Sequence, residues 1–117
     1  MNWEDVAQLN DFKTLNRSYV YNLAESIYFK LNVRIRELES RFSSYPKYAY
    51  RYARDVIEGR FEEAEPVIAR DAYYAYYYAR DVIKDRFHEA EPVIAQDAEY
   101  KDDYNNLMRE LGIDFRL

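Results

Sequence analysis

The chain has 117 residues, enough for one small domain with a modest core, and 49% of them are hydrophobic, 14 of these being tyrosines. Gly (2) and Pro (3) are scarce, which argues against a loop-rich β-sandwich and against a disordered chain. The absence of cysteine excludes disulfides and thiol catalysis, and the net charge of −5 disfavours binding to nucleic acid or to an anionic membrane.

The first 44 residues carry no clear internal copy and are predicted to form an N-terminal cap. A helix is predicted over Asn2–Leu15, with Asn2 as its cap and apolar contacts from Trp3, Val6, Leu9 and Phe12. From Ser18 to Phe42 apolar residues recur every three or four positions, which predicts one long helix. They are Val20, Leu23, Ile27, Leu31, Ile35, Leu38 and Phe42.

Two segments also show the strict alternation of apolar and polar residues that is typical of a strand, namely residues 29–36 and 111–117. They could pair as a small sheet, although a lone two-stranded ribbon is marginal in water. Helix is favoured for 29–36 because of the sequences on either side, and the small sheet stays open as the alternative.

Residues 45–98 contain two tandem copies of a 26-residue repeat, which predicts stacked helical units. The first copy, YAYRYARDVIEGRFEEAEPVIARDA, begins at Tyr48, and the second, YAYYYARDVIKDRFHEAEPVIAQDA, begins at Tyr74. Each copy is predicted to form a long helix, a tight turn and a short helix. The long helix should bury an apolar stripe with i, i+4, i+7 spacing. Its residues are Ala49, Ala53 and Val56 in copy one and Ala75, Ala79 and Val82 in copy two.

The turns and caps of the repeat follow from its polar residues. Gly59 is predicted to end the first long helix in the left-handed conformation, and Asp85 should make a weaker stop in copy two. Short helices are predicted over residues 62–70 and 88–96, with a proline in the first turn and glutamates at the positive end. These are Pro66, Pro92, Glu63, Glu65, Glu89 and Glu91. Asp71 and Asp97 should cap the helices that follow.

Residues 99–117 are predicted to be a degenerate third copy that caps the array. Tyr100 and Tyr104 fall 26 residues after Tyr74 and Tyr78. Leu107, Met108 and Leu111 continue the apolar stripe, and Gly112 with Ile113 should form a Schellman stop. The predicted fold is therefore all-α, with about six to seven helices in a single domain: N-terminal cap 1–44, two tandem repeats 45–98 and C-terminal cap 99–117.

The two copies differ mainly at positions predicted to face solvent. The pairs are Arg51/Tyr77, Glu58/Lys84, Gly59/Asp85, Glu62/His88 and Arg70/Gln96, with Lys47/Tyr73 just outside the aligned copies. Tyr73 and Tyr77 lie four residues apart beside Arg80 and Lys84, which is the composition of a protein-binding surface. The alternative is that a terminal segment covers the two tyrosines. The predicted partner-binding residues are Tyr73, Tyr77, Arg80, Lys84, Arg51 and Arg54.

Both copies keep an Arg–Asp pair, Arg54–Asp55 and Arg80–Asp81. Within one helix Arg54 could reach Glu58, and Asp55 could reach Arg51. Ion pairs between stacked units are the favoured explanation for the retained pairs, and an arginine ladder along a groove is the alternative.

No motif in the chain predicts catalysis. His88, the only histidine, lies at a predicted helix start where copy one has Glu62, so it should be a surface residue. Neighbouring carboxylates such as Asp102 and Asp103 are explained by capping and solvation. We therefore predict no enzyme, no cofactor and no metal site.

The string Y-A-x-x-Y-A-R-D-V-I-x-G-R-F-x-x-A-E-P-x-I resembles a short tandem repeat of uncharacterised proteins from tailed phages and large DNA viruses, over residues 48–72 and 74–98. The resemblance implies a viral origin and, by analogy, a protein that binds a host protein or complex, as an inhibitor or adaptor acting on a defence system such as CRISPR. Copy two departs from the pattern at Asp85, so its turn is expected to differ. The rival functions are a single-stranded nucleic-acid binder and an acidic nucleic-acid mimic, and a homodimer through the tyrosines stays open. Since no apolar run is long enough to span a bilayer and the N-terminus is polar, we expect a cytoplasmic protein, in the host cell if it is viral.

Overall fold

The computed structural model describes residues 16–117, and the helix predicted over Asn2–Leu15 lies outside the described residues. Within 16–117 the chain forms seven α-helices and no β-strand, which confirms the all-α prediction and rules out the small sheet. The helices are α1 (Arg17–Leu31), α2 (Arg36–Glu39), α3 (Pro46–Tyr52), α4 (Glu65–Ile68), α5 (Ala72–Tyr78), α6 (Glu91–Ile94) and α7 (Ala98–Glu110). None of them is long and apolar enough to cross a lipid bilayer.

The chain divides into two compact units, of which the first ends at Phe42 and the second comprises Ser43–Leu117. In the first unit α1 packs against α2. The ring of Tyr21 meets the ring of Phe42 edge to face, with 5.3 Å between their centroids. Single-domain organisation stays a prediction, and each unit is described by itself.

The single long helix predicted over Ser18–Phe42 is wrong. Helix α1 ends at Leu31, and Asn32 adopts the left-handed conformation with φ 54° and ψ 41°. Asparagine tolerates this conformation better than other non-glycine residues, and its N–H donates to the carbonyl of Tyr28 at 2.7 Å. Leu31, which was predicted in the apolar stripe, is 65% exposed as a result. The apolar period continues across the break and conceals it.

In the second unit each copy consists of an α-helix that runs directly into a π-helix of five residues, Ala53–Ile57 after α3 and Ala79–Ile83 after α5. A 3-10 turn then precedes each short α-helix, at Glu62–Ala64 and His88–Ala90. The predicted alanine stripe is fully buried in both copies, while Val82 is only half-buried. The repeated sequence ARDVI is therefore the sequence of the π-helix.

The residue that ends each long helix was predicted one position too late. Glu58 and Lys84 hold the left-handed conformation, with φ 55° and 56°. The N–H of Lys84 donates to the carbonyl of Ala79 at 2.7 Å, which closes the wider π turn and shifts the stop. Since Gly59 has no positive φ, Asp85 fits the equivalent place. The turn of copy two, which was expected to differ, therefore has the same backbone conformation as the turn of copy one.

This turn gives a testable contrast between two neighbouring substitutions. Glu58→Gly should raise the free energy of unfolding by about 0.5–1 kcal/mol, because glycine enters the left-handed region without the Cβ penalty. Gly59→Asp should be close to neutral, because a Cβ at Gly59 would meet nothing nearer than Ile57 Cγ2 at 3.8 Å. Urea unfolding of both variants measures the contrast. A destabilised Glu58→Gly variant would contradict the assignment of the turn.

The predicted caps are confirmed. Pro66 and Pro92 lie in the first turns of α4 and α6. The carboxylates of Asp71 and Asp97 accept from the backbone N–H groups of Tyr74 and Tyr100, each at 3.1 Å.

The end of α7 is also as predicted. The Ile113 N–H donates to the Met108 carbonyl at 2.8 Å, and the Gly112 N–H donates to the Arg109 carbonyl at 3.0 Å, which is the Schellman pattern. Only Leu111 departs from the prediction, since it is 38% exposed.

A buried polar network, which the sequence analysis does not predict, joins consecutive copies. The guanidinium of Arg60 donates twice to Glu65, at 2.8 and 2.6 Å. The Tyr78 hydroxyl of the next copy donates to the same carboxylate at 2.6 Å and accepts from the Phe61 N–H at 2.9 Å. Burial favours a raised pKa for Glu65, but the hydrogen bonds from Arg60 and Tyr78 hold its pKa below the ordinary value. Glu65 therefore holds neighbouring copies together, which is more than the helix-end role predicted for it.

The network recurs at the 26-residue period. Arg86 donates to Glu91 at 3.0 and 2.8 Å, and the Tyr104 hydroxyl donates to Glu91 at 2.6 Å. In the first unit, Arg34 donates to Glu39 at 2.9 and 3.0 Å. The segments RIRELE, RFEEAE and RFHEAE begin at residues 34, 60 and 86 and share Arg, Glu and Glu at their first, fourth and sixth positions. The region before residue 44, which carries no clear copy, thus shares this short motif with the repeat.

Candidate functional site

The most concentrated set of predicted contact residues lines an open groove of about 300 Å³ between α3 and α5. We call it the Tyr–Arg groove, and its lining residues are Lys47, Tyr50, Arg51, Arg54, Tyr73, Tyr74, Tyr77 and Arg80. Five of the six predicted partner-binding residues are therefore brought together. The sixth, Lys84, is exposed but does not line the groove, because it is the left-handed residue after the π-helix.

Four of the eight residues that line the groove are tyrosines. The Tyr73 ring lies 4.8 Å from Tyr77, 4.7 Å from Tyr74 and 5.7 Å from Tyr100, measured between centroids. Tyr73 is 45% exposed and Tyr77 is half-buried. The predicted pair is thus neither isolated in solvent nor buried, because rings of α3, α5 and α7 support it on its inner side. Such aromatic pairs contribute about 0.5–1.5 kcal/mol beyond the area that they bury.

Two of the three arginines of the groove are held in place by the aspartates next to them in sequence. Arg54 donates to Asp55 at 2.7 and 2.8 Å, and Arg80 donates to Asp81 at 2.7 and 3.1 Å. The Arg80 guanidinium also lies 4.5 Å from the centroid of the Tyr77 ring. The predicted contact from Arg54 to Glu58 is replaced by this neighbour pairing.

A tyrosine connects the two Arg–Asp pairs across the repeat boundary. The Tyr50 hydroxyl accepts from Arg54 Nη1 at 3.1 Å and donates to Asp81 in the next copy. Burial, followed by the hydrogen bond to Asp81, raises the pKa of Tyr50 to about 12. The pKa of Asp81 is low, since the hydrogen bonds from Arg80 and Tyr50 outweigh its burial. The retained Arg–Asp pairs thus contribute to joining the copies. They do so through the Tyr50 hydroxyl and not through a direct ion pair between one copy and the next.

The groove is locally basic on an acidic protein. Its lining includes four cations, Lys47, Arg51, Arg54 and Arg80, and no carboxylate, whereas the whole chain carries a net charge of −5. Asp55 and Asp81, which do not line the groove, offset the charges of Arg54 and Arg80. Lys47 is exposed. The groove can therefore accept an anionic group beside exposed aromatic rings.

The described residues contain no arrangement typical of a catalytic or metal site. Among residues 16–117 no three His, Asp or Glu side chains come together as ligands for a metal ion. The side chain of His88 is 73% exposed, and its Nδ1 lies 3.9 Å from Glu91 Oε1, as expected for a surface residue. The absence of catalysis stays a prediction.

Comparison with known proteins adds no family. No protein-family model, no curated protein and no solved structure matches the chain. The resemblance to viral tandem repeats therefore stays a prediction.

Proposed function

We propose that the protein is a non-enzymatic protein–protein interaction module that binds its partner through the Tyr–Arg groove. The composition of the groove is the observation that carries the proposal, because tyrosine and arginine are the residue types enriched in the energetic centres of interfaces. Since Asp55 and Asp81 already hold Arg54 and Arg80, and ring contacts hold Tyr73 and Tyr77, few rotamers are lost on binding.

The partner that we propose is a host protein complex. The resemblance of the repeat to those of phages and large DNA viruses supports an inhibitor or adaptor of a host defence system such as CRISPR, by analogy alone. The cationic lining of the groove supports a partner that presents an acidic group there.

The proposal predicts that Tyr77→Ala weakens capture of the partner. Tagged wild-type and variant proteins are used to recover a stoichiometric partner from host lysate, and binding to the purified partner is then measured. Truncation of a central interface tyrosine should weaken affinity by roughly tenfold or more. Tyr19→Ala removes an exposed tyrosine of the first unit and is the matched control. Retention of the partner by Tyr77→Ala, with unchanged circular dichroism, would refute the groove as the binding site.

Single-stranded nucleic acid is the second candidate ligand. Exposed tyrosine rings beside arginines are the composition of a base-stacking platform. The net charge of −5 opposes a polyanion, so this candidate ranks below a protein. Retention of the protein on poly(U) at physiological salt, lost in Tyr77→Ala, would favour nucleic acid.

A further inference from the structure

The outer face of the second unit changes its chemistry in steps from one helix to the next. Two positions of the repeat, four residues apart, show this change. At the first position α3, α5 and α7 carry Lys47, Tyr73 and Glu99, which are spaced 26 residues apart. At the second they carry Arg51, Tyr77 and Asp103. We call these six residues the graded face, because it is basic on α3, aromatic on α5 and acidic on α7.

The structure places the aromatic row in the middle. Helix α5 packs against both α3 and α7. The Tyr77 ring lies 6.4 Å from Tyr50 of α3, and the Tyr73 ring lies 5.7 Å from Tyr100 of α7. The helices begin in the same register, since Asp71 and Asp97 cap α5 and α7 at the 26-residue spacing. A basic row and an acidic row therefore flank the tyrosines on opposite sides.

All six side chains are accessible to a partner. Lys47, Tyr73 and Glu99 are exposed, and the second set of three, at positions 51, 77 and 103, is half-buried. The guanidinium of Arg80 and the carboxylate of Asp81, which lie beyond the tyrosines, neutralise each other at 2.7 Å. The two sides of the graded face therefore differ in the sign of their charge, which is basic on α3 and acidic on α7.

We propose that the graded face binds a second copy of this chain about a two-fold axis that runs parallel to α5, between the two α5 helices. Such an axis lays α3 of each copy on α7 of the other, so that Lys47 and Arg51 meet Glu99 and Asp103 twice. The two Tyr73–Tyr77 pairs then meet at the axis. A two-fold axis perpendicular to the helices would instead oppose basic rows to each other. The graded face is thus self-complementary in one arrangement, as an isologous interface requires.

The contact is confined to the first two turns of the helices. Further along, Glu58 of one copy would face Glu110 of the other, and Lys84 would face its own counterpart, so like charges oppose one another there. A small, charged interface of this kind corresponds to a weak dimer, with a Kd on the order of 10–100 μM that rises with salt.

This inference names a partner for the surface in the proposed function, and it depends on that proposal for the assignment of the surface. Lys47, Arg51, Tyr73 and Tyr77 belong both to the Tyr–Arg groove and to the graded face. A second copy and an unrelated partner must therefore compete for them, and the unrelated partner binds the monomer.

Charge reversal tests the arrangement. The variant K47E/R51E makes both outer rows acidic, and the variant E99K/D103K makes both basic. In sedimentation velocity from about 5 to about 500 μM at low salt, wild type should show the weak dimer and each variant alone should be monomeric. Mixing the two variants should restore a dimer, and so should combining all four substitutions in one chain. The control K30E/R70E has the same charge change as K47E/R51E at exposed positions outside the graded face, and it should dimerise like wild type.

A second experiment does not depend on the charge variants. Because the chain contains no cysteine, Tyr73→Cys introduces one thiol next to the proposed axis. On mild oxidation it should form a disulfide-linked dimer at least tenfold faster than Lys30→Cys, whose thiol would be exposed on the first unit. Equal rates would overturn the arrangement, and so would monomeric wild type at the highest concentration or failure of the mixed charge variants to associate.

The outcomes also separate self-association from the proposed function. If the wild type is monomeric and Tyr77→Ala still loses the unrelated partner, self-association is refuted and the proposed function stands. If the wild type dimerises but Tyr77→Ala still binds the unrelated partner, the proposed function is refuted and self-association stands.

Discussion

Tyr78→Phe is expected to lower the free energy of unfolding by about 2–3 kcal/mol. The hydroxyl is completely buried and joins two copies, since it donates to Glu65 at 2.6 Å and accepts from the Phe61 N–H at 2.9 Å. Its removal leaves a buried N–H without an acceptor and a buried carboxylate with Arg60 as its remaining side-chain donor. Unsatisfied groups of this kind incur their full desolvation penalty. A shift of the urea midpoint at constant m-value measures the loss.

Two other tyrosines serve as controls for this prediction. Tyr104→Phe removes the equivalent hydroxyl, which donates to Glu91 at 2.6 Å, and should reproduce the loss. Tyr74→Phe lies in the same helix as Tyr78, and its hydroxyl makes no hydrogen bond to any of residues 16–117, so it should change stability by less than about 0.5 kcal/mol. Equal effects of Tyr78→Phe and Tyr74→Phe would show that the network does not stabilise the fold.

The features of the fold that were predictable are those encoded by local chemistry. Asp71 and Asp97 could be recognised as caps because a carboxylate before a helix satisfies free N–H groups. Pro66 and Pro92 could be placed in first turns because proline has no N–H to lose there. The buried alanines were predictable because they recur at helical spacing in two nearly identical copies.

The features that were missed depend on backbone geometry or on distant partners. Asn32 ends α1 inside an unbroken apolar period, and Glu58 rather than Gly59 takes the left-handed conformation because a π-helix precedes it. The spacing of apolar residues does not distinguish a continuous α-helix from an α-helix that widens into a π-helix. The role of Glu65 required the partner Tyr78, which lies 13 residues away in sequence. The motif R-[IF]-x-E-[LA]-E was the sequence signal for that network, and it was visible in the first unit as well.

The candidate site was predicted from the differences between the copies, and this is why it was incomplete. Tyr73, Tyr77 and Arg51 were found because they change between copies one and two. Tyr50 is not among the predicted contact residues, because both copies have a tyrosine there and the prediction relied on the positions that differ. The structure shows that Tyr50 has two roles. It lines the groove, and its hydroxyl bridges Arg54 to Asp81. The charge gradient is visible only when equivalent surface positions of all three copies are considered together.

Ala75→Leu is expected to be about as damaging as the loss of the Tyr78 hydroxyl, with a loss of about 2–3 kcal/mol in the free energy of unfolding. Ala75 is completely buried in α5, and α5 packs against α3 and α7 on its two sides. A leucine there adds three carbons where the helix spacing is set by a methyl group, so helices or rotamers must shift.

Lys101→Leu provides the matched control, because Lys101 occupies the position equivalent to Ala75 in α7 and is half-buried. The same side chain is introduced at the same helical position, but α7 carries Lys101 and Asn105 where the earlier copies carry buried alanines. Lys101→Leu should therefore change stability by less than about 0.5 kcal/mol. Thermal and urea unfolding of the two variants, with circular dichroism as the check of helix content, decide the matter. Similar losses at both positions would mean that leucine itself, rather than close packing around α5, is responsible.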